Sequence, residues 1–320
     1  MIVAATMALA SRGRLSILIF HRVLPTRDAL LPSEPTAEDF DLLMSHLKAR
    51  FTVLPLHEAV ERLYGGTLPR AALAITFDDG YADNLSVAAP LLRKHALPAT
   101  LFVATGYLDG GTMWNDRVIA AFRSTSRPAL DLDPLGLGTL STGTIGDRRD
   151  GMERVLRELK YRPSAERERV ARAVADAAGV EAPPDLMLTR DGVRALGSYG
   201  VDVGAHTLTH PILARTDPSD AWREISEGKR ELETIAGRTV SLFAYPNGRP
   251  GDDYGPEHVR MVREAGFAAA VSTAWGAADR ASDRLQLPRF TPWTRQPLRF
   301  DLLMLRNLRH RAEQPEVAKC

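Results

Sequence analysis

The 320-residue chain is 44% hydrophobic and 25% charged, a globular make-up with enough apolar residues for a sizeable core. Its 41 Lys and Arg balance 40 Asp and Glu, so a net charge of +1 gives no bulk field toward nucleic acid. A single cysteine, Cys320, excludes an intrachain disulfide and a thiolate metal site, and no run of 18 apolar residues offers stable membrane insertion.

In chain order, residues 1–14 read as an extension: apolar through Ala10, without a basic start, and with Arg12 and Arg14 on the far side, so no cleaved signal is expected. Met7 is an alternative initiator. The absent export signal and disulfides lead to the expectation of a cytoplasmic protein, with oligomeric state left open. Short apolar runs at 15–20, 72–77, 99–104, 201–205, 241–245 and 268–272 then alternate with amphipathic segments at 37–50, 86–95, 220–236 and 256–265. This rhythm predicts an α/β fold with a parallel sheet, and continuously apolar strands such as ALAITF favour a barrel with both faces covered. The rhythm breaks between about 107 and 188, where no strand is expected. That stretch reads as a helical insertion entered through a Gly, Pro, Ser and Thr-rich loop at 131–144. The barrel is thus expected over 15–293, followed at 294–320 by a docked helix, with Leu298, Leu302, Leu303, Leu305 and Leu308 as its apolar stripe, and a frayed tail.

Polar clusters directly after apolar strands stand where parallel α/β folds build their sites. One is Asp78-Asp79-Gly80 after residues 72–77, a costly placement for two carboxylates unless a cation compensates. Another is His206-Thr207-Leu208-Thr209-His210 after 201–205, whose i, i+4 histidines share a side if the chain turns into a helix. With one aspartate they supply three ligands to a divalent ion and leave a position open. Alone, the Asp pair also fits a turn or helix cap, and the His pair also fits surface or core histidines. Together, at strand ends of one chain, they point to a metal.

TFDDG followed downstream by HTLTH resembles the polysaccharide deacetylases, the carbohydrate esterase family containing the NodB homology domain, with similarity from about Ser16 to Phe290. The resemblance implies a distorted (β/α) barrel, an N-acetylated carbohydrate substrate and a divalent ion, commonly zinc. It implies Asp78 as general base and Asp79, His206 and His210 as metal ligands. A cation there acidifies water, and Asp78 is placed to accept the proton as an acetyl carbonyl is attacked. The family's third motif corresponds to residues 243–248, giving the Asn247 amide as oxyanion donor, with Tyr245 and Pro246 beside it as expected substrate contacts.

Two departures stand out. Where many members have an arginine two residues before the motif's proline, this chain has Ala244, and Arg289 is the first candidate to replace it beside Asp78. Where many have a late histidine as general acid, this chain reads Leu285-Gln286-Leu287-Pro288-Arg289. His21, after the first strand, fills the vacancy if the barrel closes; core packing is its alternative role. Trp114 is a candidate sugar-stacking residue or a packing anchor, and Tyr245, Trp275 and Trp293 share that ambiguity. Competing functions are amide hydrolysis of a different substrate on the same fold and non-catalytic carbohydrate binding. Intact ligands and Asp78 favour an enzyme. An iron oxygenase site, with its different ligand spacing, fits less well.

Overall fold

The computed structural model describes residues 10–291 and 296–310 together with Met7 and Thr294. The apolar runs become parallel strands: β1 (Ser16–Phe20), β3 (Ala72–Phe77), β4 (Ala99–Val103), β7 (Val201–Ala205), β8 (Leu242–Ala244) and β9 (Ala269–Val271), adjacent in that order. A two-residue β2 (Thr52–Val53) pairs with the start of β3. β1 and β3 are buried at every position, which explains their continuous apolarity. The segment after β9 joins the two edges. Leu287 exchanges backbone hydrogen bonds with Ala270 and Ser272, and Phe290 does so with Ile17 and Ile19, so the sheet curls round upon itself.

Register sets the functional face. Phe20 pairs with Phe77, Val103 with Ala205, Ala205 with Phe243, and Ala244 with Val271. The strand ends are therefore level, and His21, Asp78, His206 and Tyr245 emerge at one rim.

Helices cover the outside. α1 (Ala37–Arg50) begins with a capping box between Thr36 and Asp39. α2 (Leu56–Gly65) and α3 (Ala89–His95) follow, α3 after a π-turn over Asn84–Ala88. The insertion supplies α4 (Trp114–Ser124), α5 (Ile145–Leu159) and α6 (Ser164–Ala178), which bury a separate apolar core around Phe122, Leu130, Val155 and Leu159. α7 (Arg190–Ala195), α8 (Pro218–Ala236) and α9 (Pro256–Glu264) return to the barrel. α8 starts at Pro218 behind the Asp217 cap and turns Ala221, Ile225, Gly228 and Leu232 inward.

Two expectations need correction. The insertion is not strand-free: β5 (Ala129–Asp131) and β6 (Thr139–Ser141) form an antiparallel hairpin, too short at three residues each to show alternation in sequence. The final helix, α10 (Pro297–Arg309), docks through Phe300, Met304 and Leu308, whereas Leu298 and Leu302 of the expected stripe are 63% and 55% exposed. A leucine every three or four residues marks one side of a helix without saying which side is inward, and here the mixed Phe, Met and Leu face won. The expectations for residues 1–6, Trp293 and the tail from 311 onward lie outside the described residues. Among those described, no helix is long and apolar enough to cross a membrane.

Candidate metal centre and active site

Asp78 and Asp79 follow β3 directly, and the chain turns sharply there, with φ +78° at Asp79 and +97° at Gly80. A side chain at Gly80 would be strained, and its Cβ would press on Val103 at 3.3 Å. The turn sends the two carboxylates to different partners.

Asp78 meets Arg289, carried by the segment that closes the barrel. Nη1 and Nη2 donate to Asp78 Oδ1 and Oδ2, both at 2.7 Å. Nη1 also lies 3.3 Å from Thr76 Oγ1, and Nε donates to the Ser272 carbonyl at 2.9 Å. Both residues are buried. Burial alone raises the Asp78 pKa, but the Arg289 charge, then that of His206, more than offset it, so Asp78 stays below the usual carboxylate range.

Asp79 Oδ1 lies 3.5 Å from His206 Nε2 and 3.4 Å from His210 Nε2, and the three potential ligand atoms lie within 4.8 Å of one another. The ring of His206 is oriented from behind: its Nδ1 is 2.7 Å from the Ala244 carbonyl, so an Nδ1–H donates there and Nε2 faces Asp79. Although burial lowers it, the His206 pKa is raised by the charge of Asp78 and the contact with Asp79, and a cation at Nε2 would take the place of the proton. His210 is pushed down to about 4, chiefly by burial, which leaves it neutral and able to ligate at pH 7. Against burial, the contact with His206 foremost holds Asp79 well below its ordinary range. Asp79 Oδ1 is nonetheless a buried oxygen without a hydrogen-bond donor. An acceptor oxygen facing two imidazole nitrogens fits a divalent cation, which would satisfy all three at once.

The histidines do not sit on a helix, as the i, i+4 spacing suggested. Residues 206–210 form a turn with φ +64° at Thr207 and +52° at His210, and the curled backbone brings both rings to one side. Glu224 of α8 holds this turn, accepting from Leu208 N at 2.9 Å, Thr209 N at 2.8 Å and Thr209 Oγ1 at 2.6 Å. Sequence reading missed Glu224. The signal was a carboxylate on the inward stripe of Ala221, Ile225 and Gly228, where a charge needs a partner. Asp116 was also missed: buried in α4, it accepts from Tyr81 Oη at 3.2 and 3.3 Å.

Asn247, at φ +58°, follows β8, and its amide N–H has no acceptor among the described residues. Its carbonyl accepts from Thr273 Oγ1 at 2.8 Å. Four of the seven non-glycine residues with positive φ are Asp79, Thr207, His210 and Asn247, so backbone strain concentrates at this rim. His21 is half-buried at the same rim, its carbonyl accepting from Asn84 Nδ2 at 2.9 Å, and its charge is among those that lower Asp78 and Asp79. Pro246 is buried just before Asn247. Tyr245 is a core residue instead of a substrate contact: fully buried, it stacks on Tyr254 at 3.8 Å and donates to the Leu285 carbonyl. Trp114 packs half-buried against the insertion core, with the Arg167 guanidinium 5.0 Å over its ring.

Comparison with known proteins shows the family and the fold. The sequence profile of the polysaccharide deacetylase family matches residues 65–270, and the chain belongs to that family. YxkH of Bacillus subtilis (strain 168), whose name carries the same family description, is 19% identical over 279 residues, covering 87% of this chain and 71% of its own. The Streptococcus pyogenes deacetylase PplD, solved with acetate, superposes with a TM-score of 0.61 at 19% identity, covering 93% of this chain and 99% of that one. IcaB from Ammonifex degensii gives 0.60 at 17% identity, covering 91% and 97%. These likenesses show that the fold is the NodB-type (β/α) barrel.

Proposed function

We propose that this chain is a metal-dependent hydrolase that removes N-acetyl groups from an N-acetylhexosamine-containing polysaccharide or its precursor. The carrying observation is the buried, donor-free Asp79 Oδ1 facing His206 and His210 Nε2, with a second carboxylate, Asp78, kept ionised by Arg289.

Asp79, His206 and His210 would hold a divalent cation, with zinc the first candidate for this donor set. Bound there, the cation supplies a Lewis acid and an acidified water. Asp78 acts as general base, its low pKa making it a carboxylate throughout the neutral range and Arg289 fixing its two oxygens. The Asn247 N–H donates to the oxygen on which negative charge develops. His21 delivers a proton to the departing amine nitrogen. Trp114 and the backbone around Pro246 are the proposed sugar contacts.

The test is acetate release from N-acetylglucosamine oligomers by the purified protein. Activity should vanish with chelator, return with zinc, and fall at least a hundredfold in Asp78→Asn while zinc still binds. Metal-loaded protein that releases no acetate from any N-acetylated sugar would reject the proposal, and sugar binding without turnover would make the chain a carbohydrate-binding relative.

A further inference from the structure

Among the described residues, one side of the last helix stands outside the barrel's packing. At about 100° per residue, Phe300, Met304, Asn307 and Leu308 point one way, into the core, and Leu298, Leu302 and Arg309 fall within an arc of about 40° on the opposite side, while Leu305 beside them is half-buried against the core. Leu298 and Leu302 are 63% and 55% exposed. With Leu42 of α1, they make up three of the six large apolar side chains that stand exposed among the described residues. Arg299 and Arg306 flank the leucines and Arg309 lies among them, all exposed, although the Arg306 guanidinium also lies 5.1 Å over the Trp275 ring. The one acid of α10, Asp301, is buried and taken by His46 at 2.8 Å and Arg50 at 3.2 Å. The outer face of α10 thus combines leucine and arginine with no exposed carboxylate. Beside Leu42 on α1, the partly exposed Asp41 is paired with Lys94 and His95, and Glu38, one turn earlier, is exposed.

We propose that this face docks the protein on an anionic lipid surface. Leucines flanked by cations on one side of a helix are what an interfacial helix needs: apolar side chains enter the acyl boundary and guanidinium groups stay at the phosphates. A protein partner fits less well, because three leucines fall far short of the roughly 800 Å² per side that a stable protein interface covers. Arginine's weak hydration and fork of donors suit phosphate headgroups. Leu42 and Arg299 also line a cleft of about 620 Å³, together with the cation Arg27, the acids Glu34 and Asp39, and Ile19 and Phe20 at the end of β1. The proposal is independent of the hydrolytic one, since it concerns attachment alone.

The experiment is co-sedimentation of the full chain with phosphatidylcholine vesicles, with and without phosphatidylglycerol. The protein should bind the anionic vesicles, release with rising salt and ignore the neutral ones. Leu298→Gln with Leu302→Gln should weaken binding at least tenfold, Arg309→Glu should weaken it severalfold, and neither should change the unfolding midpoint or turnover of a soluble substrate. Failure of the unmodified protein to bind anionic vesicles overturns the proposal, as does equal binding by the double variant. A dimer in solution that the double variant dissociates would assign the face to a second copy and overturn it too.

Discussion

Arg289 spends all three of its nitrogens inside the protein, two on Asp78 and one on the Ser272 carbonyl. A lysine carries the charge but cannot reproduce a planar fork against both carboxylate oxygens. Arg289→Lys is therefore expected to lower kcat more than tenfold with KM little changed, because the carboxylate loses its orientation and substrate contacts remain. Arg289→Met leaves Asp78 buried and unpaired, which costs about 3–5 kcal/mol of stability. Adding Asp78→Asn should return part of that loss by removing the orphaned charge. Urea unfolding of the three variants and steady-state acetate release check this. A double variant no more stable than Arg289→Met alone would mean that the ion pair is not what Arg289 supplies. The arginine expected at position 244 is thus replaced in space by one 45 positions later in sequence, arriving on the closing segment.

At the scale of elements, the histidine turn depends on α8. Three hydrogen bonds to Glu224 fix the segment between the two histidines, and Gly228 lets the helix approach so closely that a Cβ there would meet the Thr207 carbonyl carbon at 2.8 Å. Glu224→Gln keeps the size of the side chain and loses the charge. Zinc affinity should fall roughly 10- to 100-fold, as for other residues that orient metal ligands. Competition with a chromophoric chelator reads this directly, and an unchanged unfolding midpoint without metal separates it from general destabilisation. Unchanged zinc affinity would show that the turn holds its shape alone. Much of this was legible in sequence: six apolar runs gave the sheet, and the carboxylates and imidazoles at their ends gave the ligands. Arg289 was legible through the vacancy left by Ala244. The turn at His206–His210 was not, because the left-handed backbone at Thr207 and His210 is imposed by Glu224 and the close helix, both remote in the chain. Nor was the buried setting of Tyr245, since an aromatic ring beside a site looks the same in sequence whether it faces a ligand or the core.

Taken whole, the insertion has an apolar core of its own beside those of the barrel, and a buried carboxyl joins the two parts. Asp116 begins the insertion's first helix, while Tyr81, its partner, belongs to the turn after Asp79 in the barrel. Burial first, with the Asp79 charge adding to it, overrides the nearby Arg22 and raises Asp116 to about 7. An unfolded aspartate titrates near 3.9. Between these values the folded chain holds a proton that the unfolded chain has released, so this contribution to stability is complete below about pH 4 and is lost as pH rises through about 7. The shift of roughly three units caps the loss at about 4 kcal/mol. In chelator-treated protein, hydrogen exchange in α4 should therefore quicken from pH 5 to pH 8, after correction for intrinsic rates, more than exchange in β3. Asp116→Asn, neutral at every pH, should abolish that difference and make the protein more stable than its parent at pH 8. If the asparagine variant loses protection with pH as the parent does, the ionisation of Asp116 does not govern how the insertion is held to the barrel.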